Sequence, residues 1–253
     1  MADYHIPTLA DTLAATPQLF EHGDSSHRAA DDEVLWRYMP LWKFDAMLRD
    51  RALYFNKLTN FVETDPLEGA IPAKQIIADA MLADDAAAYH KFIEAGPISQ
   101  TYINCWHRGE VESPEMWEAY ASLSEGVIVV STVGQLRAQF TGSDGLKIGV
   151  VEPVRYIDFE KDTVATRDPF ATIAIKSGKD FRHEREMRVW FVYHIYDIKA
   201  ILPCFELVSV NLAGVVSKII LAPQSSDVFA KRVRELLVSA ELQHVPMLRS
   251  RLS

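Results

Sequence analysis

Apolar residues recur along this chain with two different periods, and the alternation between them predicts strands and helices in mixed order. Val34-Leu35-Trp36-Arg37-Tyr38 is a short run of strand formers; after Pro40, Leu41, Phe44, Met47 and Leu48 recur at helical spacing. Residues 51–55 read as a second strand. The Ala-rich stretch 72–95 places Ile76, Ile77, Ala80, Met81 and Tyr89 at helical spacing and predicts one long helix ended by Gly96-Pro97. Residues 98–106 read as a strand. Ser113-Pro114-Glu115 then signals a helix start, because Ser caps free amides and Pro suits the first helical position.

Met116, Tyr120 and Leu123 share that helix's face, and Gly126 is expected to stop it. Residues 127–130 predict a buried strand, and Thr132 caps a helix running through Phe140. Further strands are expected at 146–151, 154–159, 186–193, 205–210 and 218–222, a weak helix at 168–177 and a helix at 226–242. Residues 1–32 have few periodic apolar positions and read as a partly ordered arm. With no internal repeat or linker, residues 33–253 predict a single α+β domain, a mixed central sheet flanked by helices.

Composition narrows the class without naming an activity. The 253 residues are 49% hydrophobic and 24% charged, which suits a globular chain with a substantial core. A formal net charge of −9 opposes non-specific wrapping of a long nucleic acid, although it leaves room for a local basic pocket. Cys105 and Cys204 are too few for a disulfide scaffold. The first twenty residues lack a basic leader and a continuous apolar block, and no stretch is long enough to span a membrane. A cytoplasmic protein without membrane partners is the expectation.

Phosphate-loop, dinucleotide-turn, zinc-helix and nucleophile-elbow motifs are absent. Cys105 and His107 stand too alone for a zinc site, so no metal is expected. Arg37 within an apolar strand needs a partner, either a ligand phosphate or carboxylate or a structural acid. Trp106, Trp117 and Tyr120 could wall a flat ring or simply pack the core. If residues 184–188 are extended, Glu184, Glu186 and Arg188 project to one face. The basic density formed by Arg167, Lys176, Lys179, Arg182, Arg185 and Arg188 points to an anionic ligand. Asp65-Pro66-Leu67-Glu68-Gly69 reads as a turn.

These features recur in an order that resembles a widespread bacterial family of unknown function. The resemblance spans about residues 34–240 through Arg37-Tyr38, Leu53-Tyr54-Phe55, Phe61, Asp65 to Gly69, Cys105-Trp106, Met116-Trp117, Tyr120, Lys176, Phe181, His183-Glu184-x-Glu186-x-Arg188 and Ile220 to Pro223. A more distant similarity is to the ADP-ribosyltransferases: a basic residue on the first strand, a central aromatic wall and Glu-x-Glu opening a late strand. It implies an NAD-cleaving enzyme of the toxin or defence-effector kind, transferring ADP-ribose to a protein or nucleic-acid acceptor.

Under that resemblance Arg37, with Tyr38 and Arg188, contacts the nucleotide, and Tyr120 or Trp106 stacks on nicotinamide. Glu186 holds the ribose as positive charge develops, and Glu184 orients the acceptor. Arg37 and Glu186 must then line one cleft. The alternative is a non-catalytic module binding a nucleotide-like small molecule or a protein. A metal-dependent nuclease built from Asp65, Glu68, Glu184 and Glu186 with Lys176 is a third reading. It requires the two acid pairs to share one coordination shell.

Overall fold

The computed structural model describes residues 29–82, 85–95, 98–140, 150–164, 170–192 and 202–252. The expected arm therefore lies outside the described residues up to position 28. So do Arg167, Gly96-Pro97 and the first part of the 146–151 strand.

Strands β1 (Val34–Pro40) and β2 (Ala52–Lys57) flank helix α1 (Leu41–Asp50), whose buried residues are Leu41, Phe44, Met47 and Leu48. The stretch after β2 forms two helices, α2 (Ala73–Leu82) and α3 (Ala86–Ala95), instead of one. The restart follows Asp85, a residue type suited to a helix entrance. Strand β3 (Thr101–Arg108) leads to α4 (Pro114–Tyr120), where Ser113 Oγ accepts the Met116 N–H at 3.2 Å. That helix stops at Tyr120, and Gly126 opens β4 (Gly126–Thr132). Thr132 caps α5 (Val133–Phe140) through the Gln135 N–H at 3.2 Å.

Next come β5 (Val150–Pro153), β6 (Arg155–Ile157) and β7 (Ile175–Ser177), the last a strand where a weak helix was expected. Its three residues pair in parallel with β6, which the local pattern could not announce. The chain continues through β8 (Glu186–Val192), β9 (Phe205–Ser209), α6 (Leu212–Val215) and β10 (Lys218–Leu221). Helix α7 (Asp227–Ser239), capped by Ser226, and β11 (Met247–Arg249) complete it.

Nine strands form one mixed sheet among the described residues, mostly antiparallel with a parallel β10–β11 pair. Its central feature is a fork. One edge of β3 pairs with β8 over residues 101–107. The other edge is shared: β1 joins at Leu35↔Arg108 and Trp36↔His107, and β2 joins at Asn56↔Ile103 and Lys57↔Tyr102. The centre of the sheet is covered on both faces, so β4 is buried along nearly its whole length, whereas Tyr54 on β2 and Phe205 and Leu207 on β9 are exposed. Helices α1, α5, α6 and α7 cover one face, packing on Leu35, Val129, Met187 and Val189. The other face carries α4 against Trp36, Tyr38 and Ile128, and a smaller cluster around Ile103, Ile173 and Trp190. No helix among the described residues is long and apolar enough to cross a membrane.

Candidate active site

Side chains paired across neighbouring strands share a face, so the sheet register sorts the expected site residues. The pairs Trp36↔His107, Cys105↔Arg188 and His107↔Glu186 place Glu186 and Arg188 on the α4 side. Trp106↔Met187 belongs to the opposite side, and Arg37 follows it: its guanidinium carbon lies 5.7 Å from the centre of the Trp106 ring. Arg37 and Glu186 are thus on opposite faces and do not line one cleft.

Arg37 is instead part of the fork. Where β1 and β2 diverge, the Tyr54 carbonyl accepts Asn104 Nδ2 at 2.8 Å and Arg37 Nη2 at 3.5 Å. Asn104 Oδ1 in turn accepts the Trp106 Nε1–H at 2.6 Å, so Trp106 is fixed in the core and offers no ring to a ligand. Tyr38 lies on the Glu186 side but is used in packing. Its ring meets Trp117 edge-on at 5.3 Å, and its hydroxyl accepts the Ser113 N–H at 3.0 Å.

The groups that do converge form a buried polar network. Arg188 is fully buried. Its Nε reaches Glu186 Oε1 at 2.7 Å, and its Nη1 and Nη2 reach the two Glu68 oxygens at 2.7 and 2.8 Å. Glu68 comes from the turn after β2, where Gly69 has φ +73° and a Cβ would sit 3.0 Å from Ile98 Cγ2. Strand β7 contributes Lys176, whose Nζ lies 2.7 Å from Glu184 Oε2 and 3.4 Å from Glu186 Oε2. Tyr156, its register partner on β6, accepts the Glu186 N–H at 2.7 Å.

Glu184 is not on the strand. Residues Arg182–Glu184 make a single 3-10 turn, ended by Arg185 in the left-handed region at φ 43°. That twist still delivers the Glu184 side chain to the network, with one oxygen on Lys176 and the other accepting the Tyr120 hydroxyl. Tyr120 ends α4 and is 43% exposed, so it marks the solvent side of the cluster. The Glu184 carbonyl accepts His107 Nδ1–H at 2.7 Å.

Burial and charge act against each other here. Burial alone would raise Glu186, but Arg188 and Lys176 more than offset it and hold the carboxyl down at about 2. Burial would lower Lys176, yet Glu186 and Glu184 push it above its ordinary value. Burial, then Glu184, raise the Tyr120 phenol, which stays a proton donor. Burial lowers His107 and lifts the Cys105 thiol.

The sequence points to Lys176 as one of several basic residues near an anionic ligand and to Asp65 as part of a turn, and to both as parts of a nuclease, but it does not single out Tyr156. Asp65 is 5% exposed; its Oδ1 accepts the Leu67 N–H at 3.1 Å, and its Oδ2 has no hydrogen-bond partner. Burial raises its pKa against the pull of Lys176. Of the nuclease reading's acids, Glu68, Glu184 and Glu186 meet around Lys176 and Arg188, and Asp65 lies close enough to feel both cations. No group of three or more His, Cys, Asp or Glu side chains among the described residues is placed to hold a metal. A surface cavity of about 360 Å³ bordered by Asp45, Arg49 and Ser239 lies between α1 and α7, away from this chemistry.

No protein-family model, curated protein or solved structure matches the chain.

Proposed function

We propose that the chain is an enzyme that cleaves the N-ribosyl bond of a nucleotide such as NAD, with Glu184 as the charge-stabilising carboxylate. The observation that carries this reading is the charge balance. Asp65, Glu68, Glu184 and Glu186 surround two cations, Lys176 and Arg188, and Glu184 stands nearest the exposed Tyr120. Such an excess of carboxylate in a buried setting favours a positive centre, as the ribosyl carbon becomes when its bond to nicotinamide breaks. The bonding pair leaves with the nicotinamide nitrogen. Water or an acceptor nucleophile then bonds to the ribosyl carbon and gives up a proton.

This arrangement differs from the one implied by the ADP-ribosyltransferase resemblance. Arg37 and Trp106 have no place in it, because they face the other side of the sheet. Glu186 becomes the inner support, since Arg188 and Lys176 already occupy its oxygens. Glu184 takes the substrate-facing role, with Tyr120 and Lys176 holding it. Tyr38 supports the wall and touches no ligand.

The rival reading, a non-catalytic binding module, draws on a specific observation too: the Glu68–Arg188–Glu186 set is internally satisfied, as structural ion networks are. Incubation of the purified chain with NAD, followed by mass spectrometry for free nicotinamide, separates the two. Release that disappears in Glu184→Gln supports the enzyme. A folded wild-type protein releasing none, with water or across an acceptor panel, establishes the module instead.

A further inference from the structure

The basic density of residues 176–188 divides into two populations once its side chains are placed. Lys176 and Arg188 point inward and are neutralised by Glu184, Glu186 and Glu68. Lys179, Arg182 and Arg185 point outward: all three are exposed, and none forms an ion pair within 4.0 Å among the described residues. Along the chain they bracket the turn that carries Glu184: Lys179 precedes it, Arg182 starts it and Arg185 lies just beyond its end.

Both arginines are positioned rather than loose. The Arg182 guanidinium lies 5.9 Å from the centre of the Tyr156 ring. The Arg185 guanidinium runs across Gly109, where an added Cβ would be 3.5 Å from Nη1. Arg185 also holds a left-handed backbone at φ 43°, a conformation that disfavours any side chain and concentrates at functional sites. Two nearby acids have other partners: Asp180 accepts the Ser177 hydroxyl at 2.8 Å, and Glu115 accepts the Ser113 hydroxyl at 2.7 Å.

We infer that Lys179, Arg182 and Arg185 form a phosphate-recognising rim above the Glu184 site, so that its ligand is a nucleotide bearing a phosphate or diphosphate, not a free nucleoside. The inference rests on the N-ribosyl reading for what happens at Glu184, but the rim stands on its own geometry. A chain with net charge −9 repels a phosphorylated ligand at long range, and the carboxylate cluster repels it locally. Exposed guanidinium groups, with their forked donors, supply the missing attraction and orient the ribose end towards the carboxylates.

ADP is the probe, because it carries the diphosphate without a cleavable nicotinamide. Calorimetric titration of ADP into the full chain is compared with the same titration into the Arg182→Gln/Arg185→Gln double variant and into Lys179→Gln. All are first checked for an unchanged thermal midpoint; if the double variant unfolds, Lys179→Gln carries the test. The expected result is ADP binding that weakens roughly tenfold or more in the double variant and falls with added salt. In turnover, the preference for NAD over nicotinamide riboside should collapse through KM, with kcat changed far less. ADP that fails to bind the wild type, or binds the variants equally well, overturns the rim. Lost ADP binding with no NAD turnover by any form keeps the rim and removes the N-ribosyl reading. NAD turnover with unchanged KM does the reverse.

Discussion

Arg188 and Glu68 form a bidentate ion pair at 2.7 and 2.8 Å, across 120 positions of sequence and with both side chains about 1% exposed. The contact fastens the Asp65–Gly69 turn to the middle of β8 and thereby sets the floor of the site. Glu68→Ala would leave a buried guanidinium half-compensated, a change that costs about 3–5 kcal/mol in comparable pairs. The urea midpoint should fall accordingly. A Glu68→Leu/Arg188→Met double variant should recover part of the loss, because the unpaired guanidinium is gone, but not all of it, because buried Glu186 then keeps only Lys176 at 3.4 Å. Equal stability of Glu68→Ala and wild type would show that the pair does not hold the turn.

How much of this was readable beforehand depends on the range of each interaction. Leu41, Phe44, Met47 and Leu48 are the buried residues of α1, and the Ser113 cap is in place, because both are local patterns. Helix α2 inverts its expected face: Ile76, Ile77 and Met81 are exposed while Gln75 and Asp79 are buried. Periodicity identifies residues that share a face but not which face turns inward. Here Asp79 receives Gln75 Nε2 at 2.7 Å and meets His90 Nε2 at 2.8 Å, and those bonds decide it. The same limit explains Arg37. Its separation from Glu186 follows from the β1–β3–β8 register, which no window of sequence contains. The contributions of Lys176 and Tyr156 likewise await the β6–β7 pairing.

Acid should destabilise the fold in two windows. His107 titrates below its ordinary value of 6.5 when folded, so the unfolded chain binds the extra proton and stability declines as pH falls below about 6.5. Glu186 is held near 2 against an ordinary 4.5, so its contribution is complete above 4.5 and is lost as pH drops from there through about 2. Glu68 and Asp65 act oppositely, since their raised values favour protonation in the folded state. Thermal midpoints measured from pH 7.5 to 2 should show the lower decline flattened in Glu186→Gln. An equally steep decline in that variant would assign acid sensitivity elsewhere.

The fork predicts stability effects without catalytic ones. Asn104 is 1% exposed and serves both the Tyr54 carbonyl and Trp106 Nε1. Asn104→Ala leaves those groups without this partner and should cost about 1–3 kcal/mol each way the loss is measured, by urea or by heat. Arg37→Met, which keeps the apolar stem over Trp106, should cost less. Neither variant should alter the rate of NAD cleavage per folded molecule. A large rate loss in Arg37→Met at an unchanged folded fraction would return Arg37 to the site and contradict the two-face assignment.

The sharpest division is between the two acids of the Glu-x-Glu pair. Both contact Lys176, so distance to the cation does not rank them. Their remaining partners do: Glu186 also takes Arg188, deep in the sheet, whereas Glu184 takes the hydroxyl of half-exposed Tyr120. Glu186→Gln should therefore act first on stability, lowering the thermal midpoint because Arg188 loses charge it was paired with. Glu184→Gln keeps an oxygen for Tyr120 but removes the negative charge on which the proposed N-ribosyl cleavage relies. Nicotinamide release should drop by ~10²-fold or more, the scale of a lost electrostatic stabiliser. Tyr120→Phe should fall between, by roughly tenfold, since one hydrogen bond to the carboxylate is lost while its charge remains. Rates are compared per folded molecule, with circular dichroism and thermal midpoints fixing that fraction. If Glu186→Gln loses activity far beyond its loss of folded protein while Glu184→Gln remains active, the substrate meets Glu186, and the site opens from the Arg188 side rather than beneath Tyr120.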